Sequence, residues 1–185
     1  YSSDGGLLVR SWLKETDWDF QNRSTSTRAA QGRVYLARKT LADGRRFVVL
    51  SFPGTERRKD IEIDLRLSDV PFGGASPAEF ADVAGKIGDK DLPRVHRGFN
   101  DFVTAALFTE TMPEFDGLTA GESLAEELKE NPSEVLYLTG HSLGGAAALL
   151  TAARLSDLGV SRDQLQVVTF GAPAVGDEKF ARLYE

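Results

Sequence analysis

VLYLTGHSLGGAAALL, residues 135–150, decides how the chain is read. Val135, Leu136, Tyr137, Leu138 and Thr139 are strand formers, and the alanine- and leucine-rich run after them predicts a helix over 143–158. Between the two stands Gly140-His141-Ser142-Leu143-Gly144, a G-x-S-x-G turn. On such a bend the serine hydroxyl stands clear of the backbone. The residues two before and two after it must be tiny, because strand and helix come close together. Gly140 and Gly144 meet that demand, and Gly145 extends the room. The helix begins at the same point, so its unpaired amides and positive dipole end face any negative charge that develops there. With 18 glycines in 185 residues, about 0.1 chance matches to the bare pattern are expected, so the flanking strand and helix carry the assignment.

Bulk composition narrows the field around this turn. A length of 185 residues suits one domain with a sizeable core. The charged fraction of 27% and hydrophobic fraction of 41% are those of an ordinary globular chain. A net charge of −6 argues against nucleic acid as a partner. There is no cysteine, so disulfides, thiolate metal sites and cysteine nucleophiles are excluded. No apolar run reaches membrane-spanning length, so no transmembrane segment is expected. The opening Tyr-Ser-Ser-Asp-Gly-Gly is not a signal peptide. It lacks an initiating Met, which suggests a processed or excised chain. Compartment stays open, with secretion the favoured side.

Upstream of the turn, residues 7–13 form a candidate short helix. The aromatics Trp12, Trp18 and Phe20 read as core anchors. Residues 21–32 are polar and read as a loop. Strands are expected at 33–39, as a sheet edge, and at 47–52, in the sheet centre. The Asp43-Gly44 hairpin signal joins them. The second strand runs out into Ser51-Phe52-Pro53-Gly54-Thr55. A glycine at a strand exit lets the next amide point into a site, and Thr55 and Leu143 fit the two oxyanion-donor positions of a serine hydrolase. A plain Pro-Gly β-turn reads equally well there. Residues 66–94 are expected to hold a short strand and a brief helix near 78–85. Helices follow at 98–107 and around Leu124 and Leu128, stopped at Asn131-Pro132. After 135–139 and 143–158 come a strand at 166–170 and a closing helix from about Asp177. The recurring strand-helix-strand order predicts a mostly parallel sheet with helices on both faces, in an α/β class.

The ordered segments 48–55, 60–65, 95–99, 139–146 and 168–177 together resemble the class 3 (fungal-type) lipases of the α/β-hydrolase superfamily. The resemblance implies a single α/β-hydrolase domain over 1–185, with Ser142 as nucleophile and the Thr55 and Leu143 amides as oxyanion donors. It places Asp64 as an acceptor holding the Thr55 loop, with Gly54 and His141 beside the site. It implies no metal and no organic cofactor. The family usually has Arg where Pro53 stands and Trp where Ile61 stands. Residues 56–63, the family's lid, are strongly charged here. Such a lid buries on the order of two aliphatic side chains, which predicts weak interfacial activation. Arg57, Arg58 and Lys59 are candidates for transient contact with anionic head groups at a lipid interface.

A serine hydroxyl needs a base. The two histidines are His96 and His141. His141 sits on the elbow, where its side chain diverges from the hydroxyl, and His96 precedes a helix. His96 is the less favoured candidate base, its structural role being preferred. Among the acids after the elbow, Asp157 and Asp163 read as surface, and Asp177 as a helix cap in preference to a catalytic acid. The resemblance implies that acid and histidine lie further on than this chain reaches, leaving the C-terminal catalytic part missing. The leading expectation is a serine ester hydrolase cleaving acyl esters such as acylglycerols. A non-catalytic binding module on the same fold, and a phospholipase or acyltransferase using the same elbow, are the alternatives.

Overall fold

Leu136 and Leu138 are fully buried while Val135, Tyr137 and Thr139 are half-buried, the alternation of a strand with one face on the core. This strand, β6 (Val135–His141), is the middle of three parallel strands, between β3 (Arg46–Phe52) and β7 (Leu165–Phe170). Phe52 stands opposite Gly140, and Phe170 opposite His141, so all three strands end on one edge of the sheet. Two antiparallel strands, β1 (Asp19–Ser26) and β2 (Gln31–Thr40), complete a five-stranded mixed sheet in the order β1-β2-β3-β6-β7. The computed structural model describes residues 10–28, 30–54, 68–111, 113 and 116–184.

The face built from Val34, Val48, Leu50, Phe52, Leu136 and Leu138 is the core face. Three helices pack over it: α2 (Arg97–Leu107), α3 (Ala120–Glu130) and α4 (Leu143–Asp157). Ala146, Ala147 and Ala148 of α4 are completely buried; their small side chains let the helix sit close on β6 and β3. Outside these helices lie α1 (Pro77–Gly85), a small sheet of β4 (Asp69–Pro71) and β5 (Arg94–His96), and α5 (Glu178–Tyr184). A further helix over 10–15 lies toward the opposite face, where the Arg10 guanidinium carbon stands 5.9 Å from the Phe20 ring centroid.

Most expected elements are found. α3 carries a capping box between Thr119 and Glu122, and it stops at Asn131, whose amide reaches back to Glu127 and Leu128. The Asp43-Gly44 turn joins β2 to β3 with Thr40 opposite Arg46. Two expectations fail together. Residues 21–32 are not a loop but contain most of β1, and β2 is therefore an interior strand rather than the edge. Apart from Phe20, β1 is polar on both faces because it is the sheet's rim, held by its ladder to β2, so no apolar period marks it. The aromatic cluster is not a core anchor either: Trp12 is 57% exposed, and Trp18 and Phe20 are only half-buried. Asp157, expected on the surface, is half-buried and accepts the Tyr184 hydroxyl at 2.7 Å.

The core also holds a cation. Arg154 is 1% exposed, with its guanidinium 3.7 Å from the Phe72 centroid and 4.0 Å from that of Phe80. It donates to the Gly73 carbonyl at 2.8 Å and to Asn100 Oδ1 at 3.0 Å. Burial draws its pKa down to about 10. The two rings and two acceptors replace much of its lost hydration. They also tie α4 to α2 and to the segment before α1.

Candidate active site

Chain geometry at the end of β6 is set by close backbone contacts. A Cβ on Gly140 would stand 2.3 Å from the Gly144 carbonyl carbon, and one on Gly144 would stand 2.3 Å from the Phe52 carbonyl oxygen. Real side chains do not survive such distances, so the strand-turn-helix bend requires glycine on both sides of Ser142. Ser142 itself has φ 57 and ψ −123, a conformation that costs a non-glycine residue about 1–3 kcal/mol. Its amide donates to the Phe170 carbonyl at 2.9 Å, and its carbonyl accepts from Gly145 at 2.9 Å and Ala146 at 3.2 Å. These bonds hold the turn from both sides. The Ser142 side chain is half-buried and makes no helix-capping bond. Leu143 opens α4, where helix geometry leaves the first amides without partners inside the helix.

The exit of β3 lies against this turn. Gly144 fits under the Phe52 and Pro53 carbonyls, and a Cβ on Gly54 would stand 2.8 Å from the His141 carbonyl. The His141 side chain is exposed, and its imidazole lies beside both Gly54 and Gly171. Parallel registry of β3, β6 and β7 therefore brings three strand exits, at Gly54, Ser142 and Gly171, to one place. Thr55 and Asp64 lie outside the described residues, as do the charged residues 56–63.

The remaining candidates have other work. His96 caps α2, its Nδ1 accepting from the Gly98 amide at 3.1 Å, and its ring packs on Phe99 at 4.6 Å between centroids. Asp177 Oδ1 accepts from the Phe180 amide at 2.8 Å, which makes it the cap of α5. Asp163 is exposed in a single 3-10 turn, and Glu178 pairs with Arg182. Phe170, whose carbonyl anchors the serine amide, carries no sign of that task in its own sequence neighbourhood. Only the pairing of β6 with β7 reveals the bond.

Comparison with known proteins matches residues 49–185 to the model of the class 3 lipases. The chain belongs to the class 3 lipase family. Phospholipase A1-IIbeta of Arabidopsis thaliana is 30% identical over 199 residues, covering 97% of this chain and 42% of that protein. Phospholipase A1-II 4 of Oryza sativa subsp. japonica is 31% identical over 151 residues, covering 77% of this chain and 35% of the relative. Among solved structures, a triacylglycerol lipase whose catalytic centre is formed by a serine protease triad superposes with a TM-score of 0.63 at 26% identity. That match covers 91% of this chain and 53% of the lipase. The triacylglyceride lipase of Rhizomucor miehei gives a TM-score of 0.59, also at 26% identity, over 91% of this chain and 53% of that enzyme. The fold is thus that of the α/β-hydrolases, and the chain spans less than half the length of these two plant relatives. No helix among the described residues is long and apolar enough to cross a membrane.

Proposed function

We propose that the protein is a serine ester hydrolase that cleaves acyl esters of lipids. The observation that carries this reading is the Ser142 backbone, held at a strained φ of 57 by its bond to Phe170 and set at the start of α4. Strain of this kind is kept where it presents a group for chemistry. In the proposed cycle Ser142 Oγ bonds to the ester carbonyl carbon while its proton passes to a histidine base. The carbonyl oxygen becomes an oxyanion received by the Leu143 and Thr55 amides. Collapse breaks the bond to the alcohol, which leaves with the proton from the histidine. Water then attacks the acyl-serine with the same base, releasing the carboxylic acid and restoring Ser142. The histidine and its acid partner come, in this reading, from outside the 185 residues, since His96 and Asp177 serve as caps. Asp64 holds the Thr55 loop, and Gly54 and His141 shape the floor beside it.

Membership of a lipase family favours an enzyme over a non-catalytic module, and supports lipid esters as its substrate class. The plant relatives are phospholipases A1, which favours a glycerophospholipid as a second reading of the substrate. A transient contact with a lipid interface belongs to the same proposal. Hydrolysis of p-nitrophenyl butyrate and palmitate, and of phosphatidylcholine, by the protein and by Ser142→Ala tests it. Serine-dependent release of acid from any of them supports the reading; release unchanged by the substitution contradicts it.

A further inference from the structure

The sheet face opposite α2, α3 and α4 carries Phe20 and Asn22 of β1, with Phe20 stacked on Tyr35 at 5.9 Å. The helix over 10–15 lies at this corner. Between it and β1 opens a groove of ≈ 420 Å³ lined by Arg10, Lys14, Trp18, Phe20 and Asn22. Arg10 and Lys14 are four residues apart, so they project from one side of the helix. Both are exposed, and neither forms an ion pair among the described residues. The acids close by in sequence, Glu15, Asp17 and Asp19, are exposed but do not line the groove. Glu15 is occupied by Ser11 at 3.0 Å. Lys39 adds a third positive charge, its Nζ 5.9 Å from the Trp18 ring centroid. This concentration of cations stands on a chain whose net charge is −6.

We propose that this groove binds an anionic amphiphile. A phosphate or carboxylate head accepts from Arg10, Lys14 and the Asn22 amide, and its apolar stem lies against Trp18 and Phe20. Guanidinium and ammonium groups supply charge-assisted hydrogen bonds to such a head. The aliphatic stems of the same two side chains, with the two rings, give the apolar wall an amphiphile needs. The groove has the size of a small-molecule site. It is separate from Ser142: three strand spacings, roughly 14 Å, divide β1 from β6. The same head is carried by a bilayer lipid and by a dispersed monomer, and the test distinguishes them.

Trp18 reports directly once Trp12 is replaced. The full chain carrying Trp12→Phe, to leave one tryptophan, and Ser142→Ala, to prevent any consumption of ester, is titrated while Trp18 emission is followed. The probes are phosphatidylcholine vesicles with and without about one-third phosphatidic acid, decanoate and dihexanoyl phosphatidic acid as monomers, and inorganic phosphate. The expected result is a blue shift with the anionic amphiphiles, absent with neutral vesicles. It weakens by roughly ten-fold or more in Arg10→Gln/Lys14→Gln and in about 0.5 M NaCl. A response to anionic vesicles alone assigns the head to a membrane lipid, and a response to the monomers assigns it to a dissolved amphiphile. Equal response to neutral vesicles, no response to any anionic amphiphile, or a response unchanged in the double variant overturns the proposal. So does inorganic phosphate binding as tightly as the amphiphiles. Both substituted residues are exposed, and unchanged urea midpoints confirm that the variants are folded. Because Ser142 is absent from the probe protein, the outcome is independent of whether that serine is a nucleophile.

Discussion

The Ser142 amide donates to the Phe170 carbonyl at 2.9 Å, joining the turn after β6 to the last residue of β7. That bond and the one from Gly145 back to the Ser142 carbonyl fix a backbone that would otherwise relax. Strain at φ 57 acts on any residue with a Cβ. Ser142→Ala therefore keeps the strain, and Ser142→Gly releases it. Glycine is expected to be the more stable of the two by about 1 kcal/mol, after its greater unfolded-state entropy is deducted. Urea unfolding of both variants checks this, and equal stability would mean that the turn is unstrained.

Gly144 has no space for a side chain, since a Cβ would lie 2.3 Å from the Phe52 carbonyl oxygen. Backbone on both sides of the contact leaves nothing flexible to give way. Gly144→Ala is expected to cost more than about 3 kcal/mol, and Gly144→Val to prevent folding. A shift in urea midpoint for the alanine variant, with soluble yield for the valine variant, measures both. An alanine variant within about 0.5 kcal/mol of the parent, the scale of a surface change, would show the contact to be looser than described.

These two contacts mark how far the sequence could be read. The elbow was legible because sterics demand glycine at fixed offsets from Ser142, a requirement local to five residues. The β3 exit was legible as a strand followed by Pro53-Gly54, but its seat against His141 and Gly144 arises only from the parallel register of β3 with β6. β1 was hidden because a rim strand with Asn22, Ser24 and Ser26 on its open face has no apolar alternation to show. Arg154 was hidden for another reason. Its partners Phe72, Phe80 and Asn100 are more than fifty residues away in the chain, and an arginine in a helix ordinarily signals surface.

Glu127 of α3 receives Arg38 of β2 at 2.7 Å and Arg46 of β3 at 2.8 Å. Burial alone would raise its pKa, but the bonds and charges of the two arginines outweigh it and hold the carboxyl below its ordinary value. A carboxylate held low stabilises the fold above its unfolded pKa, and that stabilisation disappears as pH falls through the folded value. Glu127→Gln is expected to lose about 1–3 kcal/mol at pH 7, with the deficit closing below about pH 4. Urea midpoints at the two pH values test the sign; a deficit that grows in acid would contradict it.

Asp157 behaves in the opposite sense. Burial pushes its carboxyl above the ordinary aspartate value against the opposing pull of Tyr184, Arg154 and Arg162, and its Oδ2 is buried without a hydrogen bond. A raised acid favours the fold while protonated, and that contribution fades as pH rises from the unfolded pKa through the folded one. Asp157→Asn, which still accepts from Tyr184, is expected to gain stability relative to the parent between about pH 3.5 and pH 7. Thermal or urea unfolding at both values checks it. A relative loss over that interval would mean that the Arg154 and Tyr184 contacts dominate burial.

Ester cleavage by this protein requires Ser142 to be a nucleophile. Incubation of the full-length protein with a fluorophosphonate, followed by mass spectrometry of the peptide containing residues 135–150, reads that directly. One phosphonyl adduct on Ser142, absent after Ser142→Ala and after heat unfolding, is the predicted result. Failure to label Ser142 in the folded protein, or labelling that persists without it, would contradict the account.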